Sequence, residues 1–99
     1  MKNLKQIVDV LKTNEDELHK KYGIRKIGVF GSITRKEADA GSDLDLLVEF
    51  DEGVDIGFLQ FVQIENYLTR LCEMKVDLVE KSVLRPYIGK HILQEVVYP

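Results

Sequence analysis

Residues 43–50, DLDLLVEF, put two aspartates one residue apart at the head of a run that otherwise reads as a strand. Strand side chains alternate between faces, so Asp43 and Asp45 point the same way and lie close together. Two carboxylates so placed repel, which costs stability unless something positive sits between them. The aspartates occupy positions where a strand should be burying side chains, so the chain must fold around that pair.

Hydrophobic periodicity supplies the elements on either side. Leu4, Ile7, Val8 and Leu11 recur at helical spacing. Thr13-Asn14 interrupts that helix, and Asn14 with Glu17 resembles a capping box opening a second helix that runs to Tyr22 and ends at Gly23. Residues 25–30, RKIGVF, read as a short buried strand, residues 34–38 as a short polar helix, and Ala40-Gly41-Ser42 as a turn. After the strand Leu44–Phe50 and the loop DEGVDIG, a helix over residues 58–71 presents Phe61, Ile64, Leu68 and Leu71 to the core. KVDLVE, residues 75–80, is a third strand, and Ser82 caps a last helix with Pro86 in its first turn and Ile88, Ile92, Leu93 and Val96 on its apolar face. The expected order is α-α-β-α-β-α-β-α. That is an α/β (α+β) fold class, one domain over residues 1–99 with a small mixed sheet of about three strands covered by helices mainly on one face.

Charge narrows the function. The net charge is −3, yet residues 37–55 carry eight acids and no base, whereas residues 1–36 carry nine Lys/Arg against four Asp/Glu. Overall acidity argues against nucleic-acid binding, which needs a basic face. No segment approaches the roughly 20 apolar residues of a membrane span, and the N-terminus lacks a secretory h-region. A cytoplasmic protein is expected, with the lone Cys72 simply buried. His19 and His91 have no zinc-spaced partner, and Tyr22, Tyr67, Tyr87 and Tyr98 are core or interface candidates.

The acid pair suits a hard divalent cation. An EF-hand is excluded, because Leu46, Leu47 and Val48 follow where oxygen ligands and a glycine would be needed. Mg²⁺ needs only one or two carboxylates plus substrate phosphates. Asp77, in VDLV, is again a lone aspartate in an apolar strand. Alone it would read as a sheet-edge residue facing water. If the two strands pair, it joins Asp43 and Asp45, and three carboxylates can hold two metal ions about 3.5–4 Å apart for nucleotidyl transfer. Gly31-Ser32 follows the first strand, where a glycine lets the backbone approach a ligand and the helix start expected beyond it offers free N–H groups to phosphate. Arg35 and Lys36 add positive charge.

Together, Gly31-Ser32, Asp43-x-Asp45 at the head of an apolar strand and Asp77 in a later one resemble the signature of DNA polymerase β-type nucleotidyltransferases. GSITRKEADAGSDLDLLVEF with the downstream VDLVEKSVLRPYIGKHILQEVVYP is similar, more closely, to the minimal nucleotidyltransferase (MNT) family. That resemblance implies a polymerase β palm-like fold and an antitoxin working beside a HEPN-domain ribonuclease toxin. It implies transfer of AMP from ATP to a toxin tyrosine, in a hetero-oligomer. Carried across, Gly31, Ser32 and Arg35 bind the triphosphate, Asp43 and Asp45 coordinate Mg²⁺, and Asp77 helps hold the catalytic metal and activates the acceptor hydroxyl. Lys36 departs from the pattern, since many members have glycine after the arginine, and this bears on loop geometry. With no acceptor-holding domain in the sequence, the acceptor is expected on a partner protein. Part of the apolar tail ILQEVVYP suits that interface, and at least half of Ile92, Leu93, Val96 and Val97 is expected in the chain's own core. Two other readings stand beside this one: neutralisation of the partner by contact alone, and transfer to a small molecule such as an aminoglycoside.

Overall fold

The computed structural model describes residues 2–39 and 41–99. Helices α1 (Leu4–Thr13) and α2 (Glu15–Tyr22) lead into strand β1 (Ile24–Phe30). Strand β2 (Leu44–Phe50), helix α3 (Phe58–Cys72), strand β3 (Val76–Glu80) and helix α4 (Pro86–Glu95) follow, with a single 3₁₀ turn at Lys81–Val83. The sheet order is β1-β2-β3, antiparallel between β1 and β2 and parallel between β2 and β3, so the expected small mixed sheet is the one observed.

One face of the sheet carries the core. Ile27, Val29, Leu44, Leu46, Val48, Val76 and Leu78 pack against Ile7 and Leu11 of α1, Leu18 of α2, and Ile64, Leu68 and Cys72 of α3. Burial pushes the Cys72 thiol up to about 11, which keeps it protonated and inert as expected. β3 lies at the sheet edge, and α3 satisfies its outward amides: Val76 N–H donates to Thr69 Oγ1 and Leu78 N–H to Glu65 Oε2, both at 3.0 Å. Those two bonds close an edge that would otherwise offer unpaired donors to another chain.

Four local expectations are corrected. The capping box sits at the start of α1, where Asn3 and Gln6 exchange reciprocal 2.9 Å bonds, not at Asn14. Asn14 instead donates its side-chain amide to Val10 O at 2.8 Å, closing α1. Ser82 does not cap α4: its hydroxyl donates to Glu80 Oε1, and Arg85 is the N-cap with Pro86 at the first turn. Residues 34–38 are successive turns rather than a helix. Lys36 N–H reaches Ile33 O at 3.4 Å and Glu37 N–H reaches Ser32 O at 2.9 Å, around Lys36 at φ +59°. That pair of bonds is the Schellman arrangement, which stops a helix after one turn. Of the turn expected at residues 40–42, Ala40 lies outside the described residues; Asp39 bonds Ser42 Oγ and Gly41 N–H across it.

A lysine at φ +59° occupies the position where the Schellman turn prefers glycine. Lys36→Gly is therefore expected to stabilise the protein by roughly 0.5–1 kcal/mol, read as a higher midpoint in urea with an unchanged slope. A lower midpoint would mean that the lysine side chain contributes more than its backbone costs.

The fourth correction concerns α4. Its apolar side is not a core face: Ile88 and Leu93 remain exposed, and Gly89 is its one buried residue. α4 is instead held at its end. Val97 bridges Val29 of β1 by paired backbone bonds of 2.8 and 2.9 Å, and Val96 and Tyr98 lie so close over Gly28 that a Cβ there would meet both.

Candidate active site

The site forms on the sheet face opposite the helical core. Along β2, Asp45, Leu47 and Glu49 alternate with the core residues, so they share that second face. The register pairs Asp45 directly with Asp77 of β3, and Asp45 also with Phe30 at the end of β1. The aspartates of the two strands are therefore side by side on one face. Asp43 lies just before β2 and is exposed. The Asp45 carboxyl is raised above the ordinary 3.8 by partial burial first, then by the negative charges of Asp77 and Asp43, with Arg35 opposing. Among the described residues no group of three or more His, Cys, Asp or Glu side chains closes into a ready metal cage. Asp45 and Asp77 are the directly paired aspartates, and Asp43 lies exposed just before β2.

The register also explains where Gly31 falls. Because Phe30 pairs with Asp45, the next residue turns across the head of β2. Gly31 is buried with φ +83°, and a Cβ there would overlap the Asp45 carboxylate. Glycine is needed twice at this position, for its backbone angle and for the space it leaves. The corner that follows is held by Ile33 in the core and by the Thr34 hydroxyl, which donates to Gly31 O at 2.7 Å. Among the described residues the N–H groups of Ser32 and Ile33 and the Ser32 hydroxyl have no intramolecular partner.

Arg35 and the Gly31 amide are already engaged. Arg35 Nε donates to Glu37 Oε2 at 3.1 Å, and its Nη1 donates to both carboxylate oxygens of Glu95 at 3.0 Å. Glu95 Oε1 also accepts the Gly31 N–H at 2.6 Å. Sequence reasoning missed Glu95. Its signal was an acid in the last turn of a helix, where the dipole disfavours negative charge and a positive partner is called for.

The remaining titratable groups lie apart from the pair. His19 meets Asp51 at 2.5 Å on the exposed surface, and His91 packs edge-on to Tyr87 on α4. The basic cluster is used locally: Lys21 sits over the Tyr22 and Tyr67 rings, Lys26 over Tyr98, and Arg25 pairs with Glu49. No helix of the described residues is long and apolar enough to cross a membrane.

A three-stranded mixed sheet with an aspartate pair across β2 and β3 and a glycine corner against it is the framework of a nucleotidyltransferase. The nucleotidyltransferase domain model matches residues 6–99. A relative from Thermococcus cleftensis, protein adenylyltransferase MntA, is 45% identical over 98 residues, covering 99% of this chain and 97% of its own length. The chain belongs to the nucleotidyltransferase domain family and is a nucleotidyltransferase of its minimal branch. A solved structure described as a minimal nucleotidyltransferase is 32% identical, with a TM-score of 0.70 over 91% of this chain and 93% of that one. One chain of the solved structure of a tri-AMPylated Shewanella oneidensis HEPN toxin in complex with MNT antitoxin shares the fold, with a TM-score of 0.57 at 17% identity over 88% of this chain and 69% of that one.

Proposed function

We propose that this chain is a cytoplasmic, Mg²⁺-dependent protein adenylyltransferase. It transfers AMP from ATP to a tyrosine hydroxyl of a cognate HEPN-domain toxin and so acts as its antitoxin. The observation that carries the reading is the parallel register of Asp45 with Asp77 beside the Gly31 corner. Its support from relatives is the adenylyltransferase at 45% identity.

The residues fit Mg²⁺. The donor set is all carboxylate oxygen, and the Asp45 carboxyl, raised first by burial and then by Asp77 and Asp43, carries a repulsion that a bound cation relieves. Asp45 and Asp77, with the exposed Asp43, are the residues that would hold it. When bound, the ion supplies charge stabilisation to the α-phosphate and the leaving pyrophosphate. Ser32 receives phosphate oxygens at the corner, through its hydroxyl and the free N–H groups there. The tyrosine oxygen attacks the α-phosphorus, an oxygen–phosphorus bond forms, and the bond to pyrophosphate breaks. Asp77, the exposed member of the pair, is accessible to the acceptor hydroxyl and takes its proton.

An acceptor on another protein needs a docking surface. Phe58, Leu59, Val83, Tyr87 and Ile88 are large apolar side chains left exposed, which favours a protein partner over a small hydroxylated molecule. The same residues would serve a contact-only antitoxin. Labelled ATP, Mg²⁺ and the co-encoded partner separate the two readings. Wild-type protein is expected to label the partner, and the double variant Asp43→Asn, Asp45→Asn to lose at least about 100-fold of that transfer. Label transfer surviving in the double variant overturns the site. Toxin neutralisation surviving without transfer assigns the activity to contact.

A further inference from the structure

We infer that Glu95 is a positioning residue of the nucleotide corner, tying the end of α4 to the Gly31 amide and the Arg35 guanidinium. Through those ties it sets where the triphosphate is received. The inference rests on the nucleotidyl-transfer reading above and adds to it a residue from a segment with no carboxylate in the metal pair.

The corner needs an external brace. Residues 31–37 form turns, not a helix, and include Gly31 at φ +83° and Lys36 at φ +59°. The N–H groups of Thr34, Arg35, Lys36 and Glu37 and the Thr34 hydroxyl all bond within the segment, so those bonds close the turns without tying them to the rest of the protein. Glu95 makes three bonds to it from sixty or more residues away: one from the Gly31 N–H at 2.6 Å and two from Arg35 at 3.0 Å. Bonds to a charged acceptor are the stronger kind, and here Arg35 Nη1 is shared between both oxygens of Glu95 while its Nε is held by Glu37. Glu95 is itself fixed. It ends α4, and two residues later Val97 pairs with Val29 on β1.

The consequence is a division of labour within the corner. Gly31 N–H is spent on Glu95, so the donors left for phosphate oxygens are the Ser32 and Ile33 N–H groups and the Ser32 hydroxyl. Arg35 is held between Glu37 and Glu95, so its guanidinium is engaged by two carboxylates of the chain itself. An alternative role for Glu95 makes the opposite prediction. If its carboxylate merely stood where a phosphate oxygen binds, removing it would free two donors and tighten nucleotide binding.

Calorimetric titration of the full chain with the non-reactive analogue AMP-PNP and Mg²⁺ decides between them. Glu95→Ala is expected to weaken binding on the order of tenfold or more. Glu95→Gln, which keeps an oxygen for the Gly31 N–H, is expected to recover part of that loss. In the transfer reaction both changes are expected mainly in KM for ATP, with the KM for the partner unmoved. Val10→Ala on α1, half-buried and far from the corner in sequence, controls for lost stability and should lower Tm without changing AMP-PNP affinity. Unchanged or tighter binding in Glu95→Ala overturns the inference. Absence of binding by the wild type overturns instead the nucleotide-transfer reading on which it stands.

Discussion

Replacing Gly31 by alanine is expected to lower AMP transfer by about 100-fold or more while the protein stays folded. Two costs coincide at this residue. The backbone angle of +83° lies in the left-handed region, which an L side chain adopts at a cost of roughly 1–2 kcal/mol. The added Cβ would also overlap the Asp45 carboxylate, so either the corner or the aspartate has to move. Displacement of a reacting group by about 1 Å can by itself cost two orders of magnitude in rate. The corner connects β1 and β2 with Gly31 buried and Ile33 in the core, so the backbone cost should lower Tm by roughly 4–16 °C, at about 4–8 °C per kcal/mol. Transfer assayed with labelled ATP, alongside thermal unfolding, tests both halves. Activity within about twofold of wild type would remove the corner from the site.

The second large effect runs in opposite directions for stability and activity. Asp45→Asn is expected to abolish transfer and, without divalent metal, to raise Tm by roughly 3–6 °C, equivalent to about 0.5–1 kcal/mol. The carboxyl of Asp45 is held above its ordinary value by burial and by Asp77 and Asp43. A raised acid favours the fold while it is protonated. Its contribution is complete below the unfolded value near 3.8 and is lost as pH rises through the higher folded value. Wild-type stability in chelator should therefore carry a decline above about pH 4 that the asparagine variant lacks. Mg²⁺ should restore stability to the wild type and not to the variant. Urea unfolding from pH 4 to 8, with and without Mg²⁺, reads all three. A variant less stable than wild type at pH 7 in chelator would show that Asp45 is compensated within the protein.

Most of the fold and of the acidic pair was legible because both are written in local periodicity. The helix stripe of Leu4, Ile7 and Leu11 and the alternating run LDLLVEF each depend on neighbours within a turn or a strand. The same locality explains the failures. Asn14 and Ser82 have the chemistry of caps, but each found a competing partner, Val10 O and Glu80 Oε1. Residues 34–38 have helix-forming composition, yet the chain must return antiparallel to β1, so the Schellman turn at Lys36 ends the coil after one turn. The apolar spacing of α4 was read correctly and its burial was not. Periodicity shows that a face exists and does not say what covers it.

By itself the sequence determined which residues carry charge at the head of β2 and within β3, and that the strands holding them are short, apolar and joined by helix. Those properties are fixed by side-chain type and spacing. Tertiary structure alone decided that Asp45 stands opposite Asp77, that Gly31 lies against the Asp45 carboxylate, and that Glu95 reaches across from the last helix to hold the corner. Each of these is a contact between segments distant in the chain. Such contacts follow from strand register and packing, which no window of neighbouring residues contains.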